Sequence, residues 1–309
     1  MILISGEALV DLIPDRVRDN AYDAVLGGSP YNVAIGLGRL GAPTAFVSRL
    51  SKDANGEALA AALTAGGVDL AFAVRAAEPT PLAFVMRGTA QTGARYSFYL
   101  DGTSYDGPWP FPGEWPAGAR HLHVGSFSSL ERHGESVVAA LALAGRHATT
   151  SFDPNIRPLV TPDRTKVIAL VERQLALAAI VKASDEDLHW LYPERDPEAS
   201  IADWAQRGPR FCVVTKGGEG AVAFLGGQRL EVRAPKVEVV DTVGAGDSFM
   251  SALIAAMDAD GALGPGGAAP DAAKLSGWLK FAATASAITC TRKGSDPPTR
   301  AEVTARLAG

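Results

Sequence analysis

Near its C-terminal end the chain reads Asp241-Thr242-Val243-Gly244-Ala245-Gly246-Asp247-Ser248-Phe249, and an apolar run over residues 250–257 follows. The small residues at 244–246 stand where a loop enters a helix, so backbone amides can converge there without obstruction by side chains. The helix dipole adds positive potential at the same point, which suits a phosphoryl group in transfer. We therefore predict an anion cradle formed by Gly244, Ala245 and Gly246. Asp247, on the first helical turn, is placed to take a proton from an attacking hydroxyl.

Asp, Ser and Gly are also ordinary residues at the start of a helix, so residues 244–247 alone do not establish a function. The full stretch resembles the C-terminal signature D-T-x-G-A-G-D-x-F of the ribokinase-like (PfkB) family of carbohydrate kinases. This resemblance implies an α/β, ribokinase-like three-layer fold with a mainly parallel central sheet and a small antiparallel β lid. It also implies ATP and Mg²⁺ as cofactors and a small sugar as the phosphoryl acceptor.

Size and composition agree with one α/β domain over residues 1–309. Hydrophobic residues make up 47% of the chain and charged residues 20%, as in ordinary globular proteins. The net charge of −5, without a basic block, argues against nucleic acid as a partner. No apolar run reaches the roughly 18–20 residues of a membrane span and the start lacks a basic signal-peptide region, so we expect a cytoplasmic protein and no membrane partner. Cys212 and Cys290 stand alone in apolar surroundings, which favours buried thiols.

The N-terminal residues 2–13 predict a first strand interrupted at Gly6, with Asp11 among apolar neighbours. A carboxylate in such a run either points to solvent at a sheet edge or faces a polar ligand, and the pattern alone favours solvent. The family resemblance favours the ligand, because an Asp at this place binds sugar hydroxyls in ribokinase-like enzymes.

The segment Gly27-Gly28-Ser29-Pro30-Tyr31-Asn32 opens a predicted helix, since Pro30 suits the first helical position and Ser29 suits the cap. A functional interpretation is that the paired glycines bring backbone close to a ligand while Asn32 offers a donor and an acceptor to a sugar hydroxyl. The segment resembles the family's G-G-x-x-x-N signature, which implies substrate contacts for Gly27, Gly28 and Asn32.

Two other nucleotide-binding motifs do not apply. Residues 36–41 match the dinucleotide pattern G-x-G-x-x-G, but they lie at the end of a predicted helix instead of between a strand and a helix. No G-K-S or G-K-T occurs, so the chain has no P-loop and ATP has to be bound in another way.

Strands and helices alternate after residue 42, which predicts parallel strands with right-handed crossovers. The alternation breaks where segments 82–86 and 95–100 predict a hairpin without a helix. By the family resemblance, segments 11–26 and 71–104 form a lid sheet over the sugar and pair with their twins in a homodimer. Such a lid would keep water from competing for the phosphoryl group.

The sequence Asp153-Pro154-Asn155-Ile156-Arg157 follows a predicted strand over 148–152. Ligands bind at the carboxyl ends of strands in open parallel sheets, although a turn of Asp, Pro and Asn would read the same. The likeness to the family's D-x-N-x-R segment implies that Asn155 helps to bind the nucleotide phosphates and that Arg157 helps to bind the substrate.

Two weaker likenesses concern ATP and Mg²⁺. Ser184 and Asp187 stand where the family often has N-x-x-E, which implies a nucleotide contact for Ser184 and a water-mediated Mg²⁺ contact for Asp187. Glu186 is a rival for the metal, and an ordinary helix cap with acids in the first turn is the alternative. Thr215, Gly217 and Gly220 match the family's nucleotide-binding segment T-x-G-x-x-G. A glycine-rich hairpin turn would have the same sequence.

Residues 291–295 resemble a family segment that binds an activating monovalent cation such as K⁺ together with the backbone near Asp241. The implied contacts are Asp241, Val243, Arg292 and Gly294. The family usually has Ala where this chain has Ser295. A predicted helix over 272–289 carries alanines at 282, 283, 285 and 287, which are small enough to border an adenine.

Within the family, residues 6–11, 96–104 and 153–158 look most like bacterial fructokinases, which implies D-fructose as the acceptor and fructose 6-phosphate as the product. A 2-keto-3-deoxygluconate kinase is the first alternative, disfavoured by the acidic Asp101 near a place where an Arg is expected, although Arg95 could serve. Ribokinase is disfavoured because Ser29 replaces a usual Lys. A sugar sensor without catalysis is a further alternative, disfavoured because the anion cradle and the base are intact.

Overall fold

A mainly parallel sheet of nine strands forms the centre of the part of the chain that the structure describes. The structure is a computed structural model and describes residues 1–15, 18–86, 95–265, 267 and 269–309. Its strands, in chain order, are β1 (Ile2–Ser5), β2 (Leu9–Pro14), β3 (Tyr22–Gly27), β4 (Thr44–Val47), β5 (Arg49–Ser51), β6 (Val68–Asp69), β7 (Val74–Ala76), β8 (Leu82–Met86), β9 (Arg95–Tyr99), β10 (His121–Gly125), β11 (Thr149–Asp153), β12 (Ile180–Ser184), β13 (Phe211–Thr215), β14 (Ala221–Leu225) and β15 (Gln228–Val232).

The central sheet has the order β15-β14-β13-β12-β11-β10-β1-β4-β6. Neighbouring strands from β13 to β6 are parallel, and β14 and β15 extend the sheet as antiparallel strands. A separate pair is formed by β5 and β7. The predicted alternation of strands and helices therefore gives the expected parallel sheet, in which the carboxyl ends of the strands meet at one edge.

Helices cover both faces of the central sheet. In chain order they are α1 (Ser29–Arg39), α2 (Ala54–Ala65), α3 (Ser126–Leu130), α4 (Gly134–Ala144), α5 (Arg164–Leu175), α6 (Asp185–Leu191), α7 (Pro197–Trp204), α8 (Ala245–Ala259), α9 (Ala272–Cys290) and α10 (Arg300–Ala308). Successive residues of β1 point to opposite faces: Ile2 and Ile4 pack with α1, α2, α8 and α9, whereas Leu3 packs with α4 to α7. The three-layer fold predicted from the sequence is confirmed.

A small sheet of the order β3-β2-β8-β9 lies beside the central one. Its two antiparallel pairs, β2 with β3 and β8 with β9, are joined by a parallel pairing of β2 with β8. The loop between β8 and β9 falls on residues 87–94, outside the described residues. The predicted hairpin is thus present, and β2 carries Asp11 into this sheet.

Three local expectations differ from the structure. Residues 2–13 form two strands in different sheets, because the chain turns between Gly6 (φ 158°) and Ala8 and leaves the central sheet. The sequence between β10 and β11 predicts one helix over residues 131–144, whereas the structure has the short α3 and then α4, which begins at Gly134. Cys212 is buried as expected, but Cys290 is partly exposed. Among the described helices, none has both the length and the apolarity of a bilayer-crossing segment.

Candidate active site

A cavity of about 1100 Å³ opens at the carboxyl ends of the parallel strands. Segments that follow β1, β10, β11, β12 and β13 border it, together with β2, the first turns of α1 and α8, and one face of α9. The predicted site residues that line it are Asp11, Gly28, Asn32, Asn155, Arg157, Ser184, Asp187, Thr215, Gly217, Gly220, Val243, Gly244, Ala245, Gly246 and Asp247. Gly27, Asp241, Arg292 and Gly294 are not among the residues that line it.

Asp247 is a carboxylate of this cavity that side chains of α1 hold in place. It lies on the first turn of α8, after the left-handed residue Gly244 (φ 74°), and is 7% exposed. Its Oδ1 accepts a hydrogen bond of 2.6 Å from the Ser29 hydroxyl, and its Oδ2 accepts one of 2.8 Å from the Asn32 side-chain amide. Two helices that are far apart in the sequence, α1 and α8, therefore meet at this carboxylate, and its orientation toward the cavity is fixed.

The polar chain continues from Ser29 toward Arg157. Asn155, held in a left-handed backbone conformation (φ 36°), donates from Nδ2 to the Ser29 hydroxyl over 2.7 Å. Arg157 Nη1 in turn donates to Asn155 Oδ1 over 2.7 Å. The prediction that Ser29 caps α1 is wrong, because Gly28 is the N-cap residue and the Ser29 hydroxyl donates to Asp247 instead. Ser29 is thus a site residue that the helix-cap interpretation concealed.

The anion cradle has two available amides in the part of the chain described. The Ala245 amide donates to the Thr242 carbonyl over 3.2 Å within the turn, whereas the amides of Gly244 and Gly246 make no hydrogen bond there. A Cβ atom on Gly244 would lie 2.1 Å from Ser295 Oγ, so no larger residue fits without a shift. The loop therefore presents bare backbone N–H groups at the N-terminus of α8, as an anion requires.

Beneath this loop lies a buried ion pair. Lys182 Nζ is 2.7 Å from Asp153 Oδ2, and a Cβ atom on Gly246 would be 3.2 Å from the same Nζ. Burial raises the pKa of Asp153 to about 6, against the opposing effect of Lys182. Burial alone would lower the pKa of Lys182, but the carboxylates of Asp153, Asp187 and Asp247 outweigh it and raise this pKa. The pair places the Lys182 ammonium group behind the cradle.

Asp11 faces the other end of the cavity, on β2. Burial raises the pKa of this carboxyl to about 6, while the positive charge of Arg157 opposes the rise. A Cβ atom on Gly27 would lie 2.7 Å from Asp11 Oδ2, and one on Gly28 (φ 112°) would lie 2.6 Å from the Glu7 carbonyl oxygen. Gly28 is thus required for the close packing of this wall, whereas Gly27 meets only the end of the Asp11 side chain and does not line the cavity.

Ser184 and Asp187 form a capping box at the start of α6. Asp187 Oδ2 accepts hydrogen bonds from the amide and the hydroxyl of Ser184, and its Oδ1 accepts one of 2.7 Å from the Ile156 amide. Both oxygens thus already have protein donors, as in the alternative helix-cap interpretation. Asp187 ties α6 to the segment after β11, while Asp185 and Glu186 also line the cavity.

The segments assigned to the nucleotide lie at the same end as α6. Gly217 (φ 52°) and Gly220 (φ 110°) adopt left-handed conformations in the turn after β13, and Thr215 ends that strand. Two of the four alanines on α9, Ala283 and Ala287, line the cavity, whereas Ala282 and Ala285 belong to the core. The turn after β13 and one face of α9 therefore both line the cavity.

The residues assigned to a monovalent cation form a backbone clasp. Asp241 Oδ2 accepts a hydrogen bond of 2.9 Å from the Gly294 amide, and its Oδ1 accepts one of 3.1 Å from the Val243 amide. The Gly294 carbonyl accepts from the Asp296 amide. The side chain of Arg292 turns away to Glu302. The structure thus brings Asp241, Val243 and Gly294 together, with the carboxylate oxygens already bonded to amides.

No group of three or more His, Cys, Asp or Glu side chains in the described residues could by itself hold a metal ion. Any divalent ion at this site has to take further ligands from bound phosphates and water, which is usual for Mg²⁺. Asp185, Glu186 and Asp187 are the carboxylates available at the end of the cavity near α6.

Besides Ser29, sequence reasoning missed the polar residues Glu7, Ser126 and Lys182 of the cavity wall. Glu7 and Lys182 are each 3% exposed, and both interrupt apolar segments, which is the signal that could have identified them. Ser126 has a left-handed backbone conformation (φ 57°), which no sequence pattern indicates.

Known proteins match almost the whole chain. The family model described as pfkB family carbohydrate kinase matches residues 1–302. A fructokinase from Rhizobium leguminosarum bv. trifolii is 37% identical over 269 residues, which cover 85% of this chain and 81% of that protein. The crystal structure of fructokinase from Xylella fastidiosa with bound ATP aligns with a TM-score of 0.83 at 27% identity, covering 99% of this chain and 98% of that one. Fructokinase from Vibrio cholerae O395, bound to fructose, ADP and calcium ion, aligns equally well (TM-score 0.83, 27% identity, 98% and 97% coverage).

Proposed function

Since the chain belongs to the pfkB family of carbohydrate kinases, we propose that it transfers the γ-phosphoryl group of ATP to a primary hydroxyl of D-fructose and yields fructose 6-phosphate. One observation carries the chemical part of this proposal: the Asp247 carboxylate and the free amides of Gly244 and Gly246 line one cavity, with Ser29 and Asn32 bonded to the carboxylate. A base and an anion cradle side by side suit phosphoryl transfer to a hydroxyl.

In the proposed reaction, the fructose hydroxyl oxygen attacks the γ-phosphorus as Asp247 takes the hydroxyl proton. The new O–P bond forms as the bond to the β-phosphate oxygen breaks, and ADP leaves with that electron pair. The amides of Gly244 and Gly246, with Lys182 behind them, stabilise charge on the transferring group. Asn32 and Ser29 hold Asp247 in place, since their hydrogen bonds fix both carboxylate oxygens.

Further site roles are part of the same proposal. Asp11, Gly27, Gly28, Asn32 and Arg157 would bind the sugar, and Asn155, Ser184, Thr215, Gly217 and Gly220 would bind ATP. The support is their location: all of these residues except Gly27 line the one cavity.

Two metal ions belong to the proposal: Mg²⁺ at the end of the cavity near α6, and a monovalent cation where Asp241 contacts Gly294. When bound, Mg²⁺ neutralises repulsion between phosphate oxygens. Glu186 and Asp187 would hold it through water, and Glu186 is the better candidate because the Asp187 oxygens already accept protein donors. A monovalent cation such as K⁺ would act near Asp241, Val243, Arg292 and Gly294, where the two segments meet.

The substrate is tested with a coupled ATPase assay on fructose, ribose, 2-keto-3-deoxygluconate and nucleosides, with Mg²⁺ present. We expect kcat/KM to be highest for fructose. Turnover with a nucleoside alone would contradict the proposal. A faster reaction with 2-keto-3-deoxygluconate would establish the second candidate instead.

That second candidate has one specific observation in its favour. Arg157 lines the cavity and is suited to a substrate carboxylate. The repulsion expected from Asp101 carries no weight here, because this side chain is 91% exposed and paired with Arg132, and it does not line the cavity. The side chain of Arg95 lies outside the described residues.

A homodimer through the small sheet is the final part of the proposal. The rings of Tyr22, Phe84 and Tyr99 form a row across β3, β8 and β9, with centroid distances of 5.6 and 5.4 Å. Tyr22 is 48% exposed and Tyr99 58%, and Met86 adds exposed apolar surface to the same face of the sheet. A second copy of the sheet would bury this surface.

A further inference from the structure

A network of four buried polar side chains crosses the interior between β10 and β11. It consists of Thr149, His121, Ser151 and His123, none of which is more than 2% exposed. His121 Nδ1 lies 2.8 Å from Thr149 Oγ1, and His121 Nε2 lies 2.7 Å from Ser151 Oγ. His123 Nδ1 lies 2.9 Å from the same Ser151 oxygen. These four residues, the histidine network, form one continuous row of hydrogen bonds.

The network leads toward the ion pair of Lys182 with Asp153. In the sheet register, His123 pairs with Ser151, and Gly125, two residues further along β10, pairs with Asp153. Side chains alternate between the two faces of a strand, so the network and the ion pair share one face, in successive rows. Since Gly125 has no side chain, His123 is the last side chain of β10 on this face before the carboxyl edge of the sheet.

Both imidazole rings of the network are uncharged. Burial lowers the pKa of His121 to about 3. Burial also lowers the pKa of His123, and positive charge on His121 or Lys182 acts in the same direction. Each ring therefore carries one N–H donor and one nitrogen that can only accept a hydrogen bond.

The single hydroxyl proton of Ser151 decides the tautomer of both rings. If it goes to His121 Nε2, both histidines carry their proton on Nδ1. If it goes to His123 Nδ1, both carry it on Nε2, and the Thr149 hydroxyl must donate to His121. The Thr149 hydroxyl donates to the Arg120 carbonyl over 3.2 Å, so it has no proton left for His121. This bond favours the first arrangement, with both rings protonated on Nδ1.

The charge of Lys182 favours the same tautomers. With Nδ1 protonated, Nε2 of His123 carries a lone pair instead of a second positively polarised N–H group. A lone pair is the favourable neighbour of a buried cation, because electrostatic effects are strong in an interior of low dielectric constant. The Lys182 side chain is 4% exposed and has three N–H donors, so it gains from an acceptor besides Asp153 on the same face.

We propose that the histidine network is a positioning element for Lys182: its fixed tautomers leave the lone pair of His123 Nε2 to stabilise the ammonium group behind the cradle. His123 is thus a positioning residue, which acts on the transferring phosphoryl group only through Lys182. This inference rests on the kinase function proposed above, although the tautomers themselves do not depend on it.

The tautomers are measured first, in the wild type labelled with ¹⁵N-histidine. The ring nitrogens are observed by NMR at neutral pH, and the two signals are assigned from their loss in His121→Asn and His123→Asn. We expect a proton on Nδ1 and none on Nε2 in both rings. A proton on Nε2 of His123 would overturn the inference. The measurement needs no turnover, so a wild type that phosphorylates no sugar contradicts the proposed function and not the tautomers.

Three substitutions of His123 then test its effect on the reaction. His123→Leu removes both ring nitrogens, and His123→Asn keeps a donor for Ser151 but has no atom at the place of Nε2. We expect both to lower kcat by about 10–100-fold, with KM for the sugar unchanged, because the Lys182 charge acts on the transferring group. The amide of His123→Gln reaches the place of Nε2, so this variant should retain more activity than the other two.

His133→Leu is the matched control. It also removes a buried imidazole, whose Nε2 bonds to the Tyr105 carbonyl, but His133 does not line the cavity. We expect it to lower the melting temperature and to leave kcat unchanged. An equal loss of kcat in His133→Leu, or equal kcat in the three His123 variants, would indicate a purely structural network and overturn the inference. If His123→Leu does not fold, as judged by circular dichroism, the comparison of His123→Asn with His123→Gln decides.

Discussion

Lys182 Nζ lies 2.7 Å from Asp153 Oδ2 in the interior, where the two side chains are 4% and 1% exposed. The pair joins β12 to the end of β11 and stands below Gly246 in the proposed cradle. A lysine in the middle of an apolar strand is costly unless its charge is used or compensated. Here the Asp153 carboxylate compensates the charge of Lys182. We propose that this charge also stabilises the transferring phosphoryl group.

Removing the ammonium group should affect stability and activity separately. Lys182→Met leaves the Asp153 charge buried without its partner, so we expect a loss of about 3–5 kcal/mol in unfolding free energy. Adding Asp153→Asn removes the uncompensated charge and should restore part of that stability, measured by urea denaturation. Phosphoryl transfer should not recover, because the positive charge behind the cradle is still missing. Recovery of kcat in the folded double variant would contradict the electrostatic role.

Asp247→Asn tests the base directly. The amide keeps the size of the side chain, so folding should be unchanged, while kcat falls by about 10²–10⁴-fold because no group accepts the hydroxyl proton. Asp271→Asn is the matched control: Asp271 also stands at a helix start, as the N-cap of α9, but it does not line the cavity. The measurement is kcat with saturating ATP and sugar. Near-normal turnover in Asp247→Asn would remove Asp247 from this role.

Gly244 should tolerate no side chain. Its φ of 74° is unfavourable for other residues, and a Cβ atom would meet Ser295 Oγ at 2.1 Å and its Cα at 3.0 Å. We expect Gly244→Ala to cost about 2–4 kcal/mol and to reduce activity, since the cradle must shift. The control Gly277→Ala lies in α9 with open space around its Cβ position and should instead stabilise by about 0.5–1 kcal/mol. Equal effects of the two substitutions on thermal stability would contradict the tight fit at Gly244.

Asp11 should make stability depend on pH. Burial raises its pKa to about 6, above the ordinary value of 3.8, so ionisation of Asp11 opposes folding. The favourable contribution of the protonated group is complete below about pH 4 and is lost as pH rises through 6. Asp11→Asn should therefore raise the melting temperature relative to the wild type at pH 8, and the difference should vanish near pH 4. A constant difference between the two melting curves across this range would show that Asp11 is not the responsible group.

The small sheet should determine the oligomeric state. Tyr99→Glu puts a charge into the exposed aromatic row, so we expect the homodimer to dissociate into monomers in light scattering after size exclusion. Leu307→Glu is the control, because Leu307 on α10 is 48% exposed and lies outside the small sheet. A wild type that is monomeric at micromolar concentration would contradict the dimer proposal outright.

Much of the fold was predictable because alternating apolar strands and helices leave few topologies for a parallel sheet. The start of α8 was predictable too, because the whole stretch from Asp241 to Phe249 resembles the family signature and places a helix after Gly244. The role of Ser29 was not, because a serine before a proline reads as a helix cap, and its true partner is 218 residues away. Lys182 and Ser126 escaped for the same reason: their importance comes from neighbours on other strands.

The contact between Ser29 and Asp247 also bears on biosynthesis. Its two halves leave the ribosome at opposite ends of translation, and α1 shares one core cluster with α8 and α9, so this layer is complete only after Asp247 has been made. A nascent or prematurely terminated chain that ends before α8 would lack Asp247, the base that we propose, together with the two helices that pack with α1. Under the proposed function, such incomplete copies could not transfer a phosphoryl group.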